Sequence, residues 1–276
     1  MRRSMTALVA GLAILSAAAG QPVAAPGPAA QQDTPGSPMR PLMVPGYIPV
    51  EKANDGLALV AAPPAPGSAA LERDRMLERE ALARRGSARW TLAMQDADLR
   101  SAGATGAFSC AAGRVIGPEA TPLTDALLRK TLPDLARISA APKQHYARKR
   151  PFESNGQPIC TPQDEAGLRG NASYPSGHAT IGYGWAMVLA DLLPARRKAL
   201  LRRGIAFGDS RRICNVHFAS DVEAGARLAD PVFRALKTEP RFVADMAAAR
   251  AELRSLQPVR PDCTAESAAL AERKSR

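Results

Sequence analysis

SRRICNVHFASD, residues Ser210 to Asp221, sets five residues between a Ser-Arg pair and His217, and three between His217 and Asp221. A histidine can act as a nucleophile, a carboxylate can orient it through one ring nitrogen, and an arginine can hold an anion beside both. Ser220-Asp221-Val222-Glu223 has the S-x-x-E pattern of a capping box, which predicts a helix starting near Asp221. His217 then lies in the turn before that helix. Arg211 and His217, six apart, do not share a helix face, so the turn must bring them together.

Two earlier stretches supply what this one lacks. YPSGH, Tyr174 to His178, precedes ATIGYGWAMVLADLL, an apolar run of helical length. Ser176 is placed as its N-cap, with Gly177 and His178 in the first turn. Free backbone N–H groups and the positive dipole end make such a helix start an anion site, so His178 is set at a phosphate-sized position. KQHYARKRP, Lys143 to Pro151, carries Lys143 and Arg150 seven apart. Two helical turns would project both from one face, with Pro151 stopping the helix. His145 falls on another face and takes no role. Together the stretches read as a phosphate-transfer site built from histidines and cations, without a metal.

Composition bounds the rest. Aromatics are only 4% of the 276 residues, and Ala and Leu fill the apolar positions. Such residues lose little entropy in a helix, which favours an all-α fold. The net charge of +11 suits nucleic acid, an anionic membrane surface or a small anionic substrate. Sparse aromatics argue against nucleic acid, which is bound by basic runs interleaved with stacking rings. Cys110, Cys160, Cys214 and Cys263 match no zinc spacing, and His145, His178 and His217 are the only histidines. An even cysteine count in an exported chain points to disulfides, with three pairings open.

Residues 1–20 read as a secretory signal: Arg2 and Arg3, an apolar run from Ala7 to Ala18, then small residues. Residues 21–45 form a Pro/Ala-rich leader expected to be disordered. A folded domain follows over residues 46–256, with an extended stretch to Pro66 and helices from Ser68 onward. Residues 151–172 read as a loop, and helical segments flank Pro133 on both sides. The polar tail, 257–276, is expected to fray, with Cys263 available to pin it back. Once the signal is removed, no window of 18 apolar residues is left, so no stable membrane insertion is expected.

K-x6-RP at Lys143 to Pro151, PSGH at Pro175 to His178 and SR-x5-H-x3-D at Ser210 to Asp221 resemble the three-part signature of the type 2 phosphatidic acid phosphatase superfamily, which also holds the vanadium haloperoxidases. Every signature position is filled. The helical context and the PPAPGS stretch look most like the class A bacterial nonspecific acid phosphatases, over roughly Gly46 to Leu256. The resemblance implies a single-domain helical bundle that hydrolyses small phosphate monoesters at acid pH with no metal or cofactor. It implies His217 as nucleophile forming a phosphohistidine, Asp221 orienting it, and His178 as general acid and base. Lys143, Arg150 and Arg211, with Ser176 and the Gly177 amide, would bind the phosphoryl oxygens. Vanadate would bind as a phosphate mimic and inhibit. A periplasmic or secreted location is expected, and a homodimer would suit the family. A vanadium haloperoxidase and a lipid or undecaprenyl diphosphate phosphatase of the same superfamily are the alternatives.

Overall fold

The run from Gly177 to Leu192 is apolar on almost every face, and a helix of that kind belongs in the middle of a bundle. The computed structural model, which describes residues 45–271, puts it there. The expected secretory signal, all but the last residue of the leader, and the final residues of the tail lie outside the described residues. Among the described residues there is no strand, and the α-helices follow in order. They are α1 (Gly56–Leu59), α2 (Ala69–Leu82), α3 (Ala88–Asp96), α4 (Ser109–Ala112), α5 (Pro122–Arg137), α6 (Ala140–Tyr146) and α7 (Pro151–Asn155). Then come α8 (Glu165–Arg169), α9 (Gly177–Leu192), α10 (Arg197–Ile213), α11 (Ala219–Leu236), α12 (Pro240–Ser255) and α13 (Thr264–Ala271). The all-α reading therefore holds.

Helix α9 is the axis. It packs against α10, α11 and α5, and α12 closes over α5 from outside. Trp185, fully buried on α9, donates its indole N–H to the Leu128 carbonyl of α5 at 2.8 Å. Phe108 and Phe207 pack beside it with centroids 5.5 Å apart. Serine hydroxyls start three of the helices: Ser68, Ser87 and Ser176 accept from Leu71, Trp90 and Ala179 amides at 3.2, 3.3 and 3.2 Å. Prolines sit in the first turn of α5, α7 and α12, where a missing N–H costs nothing.

Four expectations need correction. Residues 46–66 are not wholly extended, since α1 (Gly56–Leu59) lies within them. Pro133 does not divide two helices; α5 runs through it. Leu132 and Leu135 bury their side chains around it, and the Asp134 carboxylate receives the Tyr47 amide at 2.7 Å. Residues 151–172 are not simply loop, since α7 and α8 lie within them. Each is five residues long, too short to show an apolar period. Finally, the segment after Leu256 carries α13, which packs on α3. Cys263 at its start is bonded to Cys110, and Glu266 pairs with Arg203 at 3.0 Å. Only Ala269 of α13 is buried, so its sequence gives almost no core signal. The second disulfide, Cys160–Cys214, removes Cys214 from any nucleophilic role.

A close helix crossing lies where α11 meets the start of α9. A Cβ on Gly225 would stand 2.1 Å from the Ser176 carbonyl oxygen, a backbone atom that cannot turn aside. Thr180 Oγ1 donates to the Gly225 carbonyl at 2.9 Å across the same crossing. Gly225→Ala should therefore destabilise the fold by about 1–3 kcal/mol, the range for overpacking. Urea unfolding checks this, and an unchanged midpoint would contradict it.

Candidate active site

Helix α10 ends at Ile213, with Arg211 in its last turn. Asn215 then takes a left-handed conformation (φ 62°), and the chain doubles back. The amides of Val216 and His217 both donate to the Arg211 carbonyl, at 3.1 and 3.3 Å. The turn thus joins Arg211 to His217, as their spacing requires. Helix α11 starts at Ala219, two residues before the expected point. Its cap uses Asp221 rather than Glu223: the Phe218 amide donates to Asp221 Oδ2 at 2.8 Å. Glu223 instead makes an exposed pair with Arg73.

His217 is 4% exposed. Its Nδ1 lies 3.3 Å from Ser173 Oγ and 3.5 Å from Asp221 Oδ2. The Ser173 hydroxyl donates to that same oxygen at 2.5 Å. Orientation therefore runs mainly through a relay, Nδ1–H to Ser173 to Asp221, with a longer direct contact beside it. Sequence reading found Asp221 but missed Ser173. Nε2 faces Arg150 Nη1 at 3.1 Å.

Lys143 and Arg150 do converge, but not on one helix face. Helix α6 stops at Tyr146, Ala147 is left-handed (φ 45°), and Arg150 is the extended residue capping α7. Pro151 begins that helix rather than ending the previous one. The Ala172 carbonyl gathers the two side chains, accepting from Lys143 Nζ and, at 3.4 Å, from Arg150 Nη2. Arg150 is also fixed by the carbonyls of Asn171 at 2.8 Å and Val216 at 2.9 Å. Arg211 is different. It is buried, and its Nε and Nη1 have no hydrogen-bond partner.

Ser176 caps α9 as expected, and Gly177 is the first helical residue, where the N–H has no partner within the helix. The Ser176 amide donates to the Asp221 carbonyl at 3.0 Å, so the second and third sequence stretches are bonded backbone to backbone. His178 stacks on Phe207 with centroids 4.8 Å apart. Its Nε2–H donates to the Asp96 carbonyl at 2.7 Å, a terminal carbonyl of α3, which leaves Nδ1 as the proton-exchanging nitrogen. The Asp96 carboxylate is itself held by Ser210 Oγ at 2.6 Å and by Arg203.

These burials and charges move the titrations one way. Burial first, then the Arg150, Lys143 and Arg211 charges, push His217 well below the ordinary histidine range. Burial, then Arg211, does the same to His178, against the hydrogen bond to Asp96. Burial and Arg150 push Lys143 down to about 7, while Asp221 opposes. Arg150 and Arg211 are pushed down to about 10, chiefly by burial, and stay cationic at neutral pH. The arrangement is a neutral imidazole among cations, with a carboxylate behind it. Such a centre can receive a dianion and share a new bond with it. A cleft of about 420 Å³ adjoins Lys143 and Ala172 and is lined also by Arg148, Lys149 and Arg169.

Comparison with known proteins agrees with this geometry. The PAP2 superfamily profile matches residues 130–230, which include all three sequence stretches. An acid phosphatase of Zymomonas mobilis is 40% identical over 204 residues, covering 72% of this chain and 76% of the relative. A non-specific acid phosphatase of Salmonella typhimurium is 38% identical, covering 76% of this chain and 84% of the relative. One from Providencia stuartii is 34% identical over 76% and 86%. No described helix is long and apolar enough to cross a membrane. The chain belongs to the PAP2 superfamily and, within it, to the family of these bacterial acid phosphatases.

Proposed function

We propose that the chain hydrolyses small phosphate monoesters in acid, without a metal, through a phosphohistidine on His217. The observation that carries this reading is Arg211: a buried guanidinium with two unpartnered nitrogens, in the turn that carries a neutral histidine. Burying such a cation unpaired is costly unless an anion completes it. Relatives named acid phosphatases support the same reaction.

In the first step His217 Nε2 attacks phosphorus while the bond to the leaving oxygen breaks. His178 gives the leaving oxygen its proton. Arg150 turns its Nη1 from Nε2 to a phosphoryl oxygen, and Arg211, Lys143, the Ser176 hydroxyl and the Gly177 amide take the others. The relay through Ser173 to Asp221 balances the positive charge on the phosphorylated ring. In the second step water attacks phosphorus, His178 takes its proton back, and the N–P bond breaks to release phosphate and neutral His217.

The pH dependence follows from the directions above. A lowered histidine value favours the neutral form. The nucleophile His217 therefore stays competent further into acid, and the proton donor His178 is lost earlier as pH rises. Both limbs of the kcat/KM profile move towards acid. Lys143 is cationic below about 7 and loses its charge above it, which should raise KM on the alkaline side. A kcat/KM maximum above about pH 8 would contradict this assignment.

The direct test is p-nitrophenyl phosphate hydrolysis near about pH 5.5 in EDTA. Turnover is expected, with vanadate competing as a phosphate mimic; activity only after a divalent metal is restored would sink the metal-free reading. A periplasmic location and a homodimer are part of the proposal, and fractionation and sedimentation test them.

A further inference from the structure

Resting on the proposed phosphatase reading, we propose that Arg148 and Asp74 are positioning residues for the phosphoryl-transfer step, gripping the Asp221 carboxylate that holds His217. Arg148 lies within the Lys143–Pro151 stretch but was assigned nothing there, and Asp74 on α2 lies outside the superfamily match.

Asp221 is fully buried, and its two oxygens have separate partners. Oδ2 serves the Phe218 amide, Ser173 Oγ and His217. Oδ1 receives Arg148 Nη1 at 2.6 Å. The carboxylate plane is thus pinned at its far end by one guanidinium, and a rotation there would carry Oδ2 away from the Ser173–His217 relay.

Arg148 is fixed in turn from several directions. Its Nη2 pairs with Asp74 Oδ2 at 2.9 Å, and Nη1 also meets Ser220 Oγ at 2.8 Å. Its guanidinium carbon stands 4.2 Å over the Phe218 ring. Its backbone carbonyl accepts from the Ser173 amide at 2.8 Å, so one residue places both Asp221 and the serine between Asp221 and His217. Asp74, 1% exposed, closes the circuit by accepting the Ser220 amide at 2.9 Å and the Ser220 hydroxyl at 2.5 Å.

Charge counting argues for a role beyond packing. Two buried carboxylates share one arginine in this cluster, and burying an ion pair gains little over an apolar core of equal volume. The surplus negative charge has a use on the His217 side, where the ring becomes cationic once phosphorylated.

The test compares Arg148→Ala, Arg148→Lys and Asp74→Asn, alone and combined with Asp221→Asn, using p-nitrophenyl phosphate with circular dichroism as a fold control. Arg148→Ala should lower kcat about 100-fold, the scale of a misplacement near 1 Å, with KM and the Ki of inorganic phosphate within about threefold. Arg148→Lys and Asp74→Asn should lower kcat by about 10-fold. Guanidinium ion should restore part of the Arg148→Ala loss. In the Asp221→Asn background, none of the three should cost more than about twofold, because each acts through Asp221. A folded Arg148→Ala within about twofold of wild type, or losses that multiply with Asp221→Asn, would overturn the proposal. Should Arg148→Ala fail to fold, the Asp74→Asn and Asp221→Asn cycle decides by the same criterion. Turnover that survives His217→Ala would instead refute the phosphohistidine reading on which this inference rests. Turnover that needs His217 but ignores Arg148 refutes this inference alone.

Discussion

His217→Ala is expected to lose p-nitrophenyl phosphate turnover by at least about 10⁴-fold, while keeping the wild-type circular dichroism spectrum. The substitution removes the atom that bonds to phosphorus, and no neighbour can replace it. Ser173 and Asp221 stand behind the ring, and Arg150 is a donor without a lone pair. What remains is binding by the cations, which aligns the ester but offers no nucleophile. The cavity left by the imidazole also gives a positive control. Free imidazole added at millimolar concentration should recover a fraction of the activity, because it can occupy the same place and accept the phosphoryl group. Full activity in the alanine variant would remove His217 from the chemistry.

Arg211→Met should separate activity from stability. Its Nε and Nη1 are buried without partners, and the favourable charges of Asp164 and Asp96 reach it without a hydrogen bond to either atom. In the ligand-free protein this side chain costs stability, because a desolvated cation is uncompensated. Methionine fills a similar volume without that charge. The variant should melt higher by roughly 2 °C or more, yet lose about 10³-fold in kcat/KM with the loss of a transition-state donor. Arg211→Lys should not restore activity, since a point charge cannot offer two donors in one plane. Differential scanning calorimetry alongside initial rates checks both halves. A melting point that falls together with activity would make Arg211 a structural residue.

Much of the site was legible because its parts are local turns. Arg211 to Asp221 spans one helix end, one left-handed residue and one helix start, and residue types mark each of these. Ser176 to His178 is a cap and first turn, which an N-cap serine ahead of an apolar run specifies. Lys143 and Arg150 were matched to the right destination by the wrong route. Their spacing fits a helix, but Ala147 breaks it, and no glycine marks that position.

The residues that were not legible act across long sequence distances. Ser173, Arg148, Asp74 and Asp96 gain their roles from partners on other helices, and nothing in a local pattern distinguishes them from solvated polar residues. Asp96 shows the difficulty most clearly. Its main-chain carbonyl holds His178, a role that no side-chain identity encodes. Helix α13 was hidden for a related reason, since a disulfide and the Glu266–Arg203 pair hold it more than apolar burial does. The all-α class was accessible because Ala and Leu fill the apolar positions while aromatics are few.

The central claim is covalent transfer of phosphorus to His217. The most direct measurement is rapid mixing with a ³²P-labelled phosphate monoester, denaturation in alkali to preserve phosphoramidates, and mass mapping of the labelled peptide. We expect one phosphoryl group per active site, appearing as a burst, stable to alkali, released by acid and located at His217. Turnover without any trapped label, or label on another residue, would contradict the account.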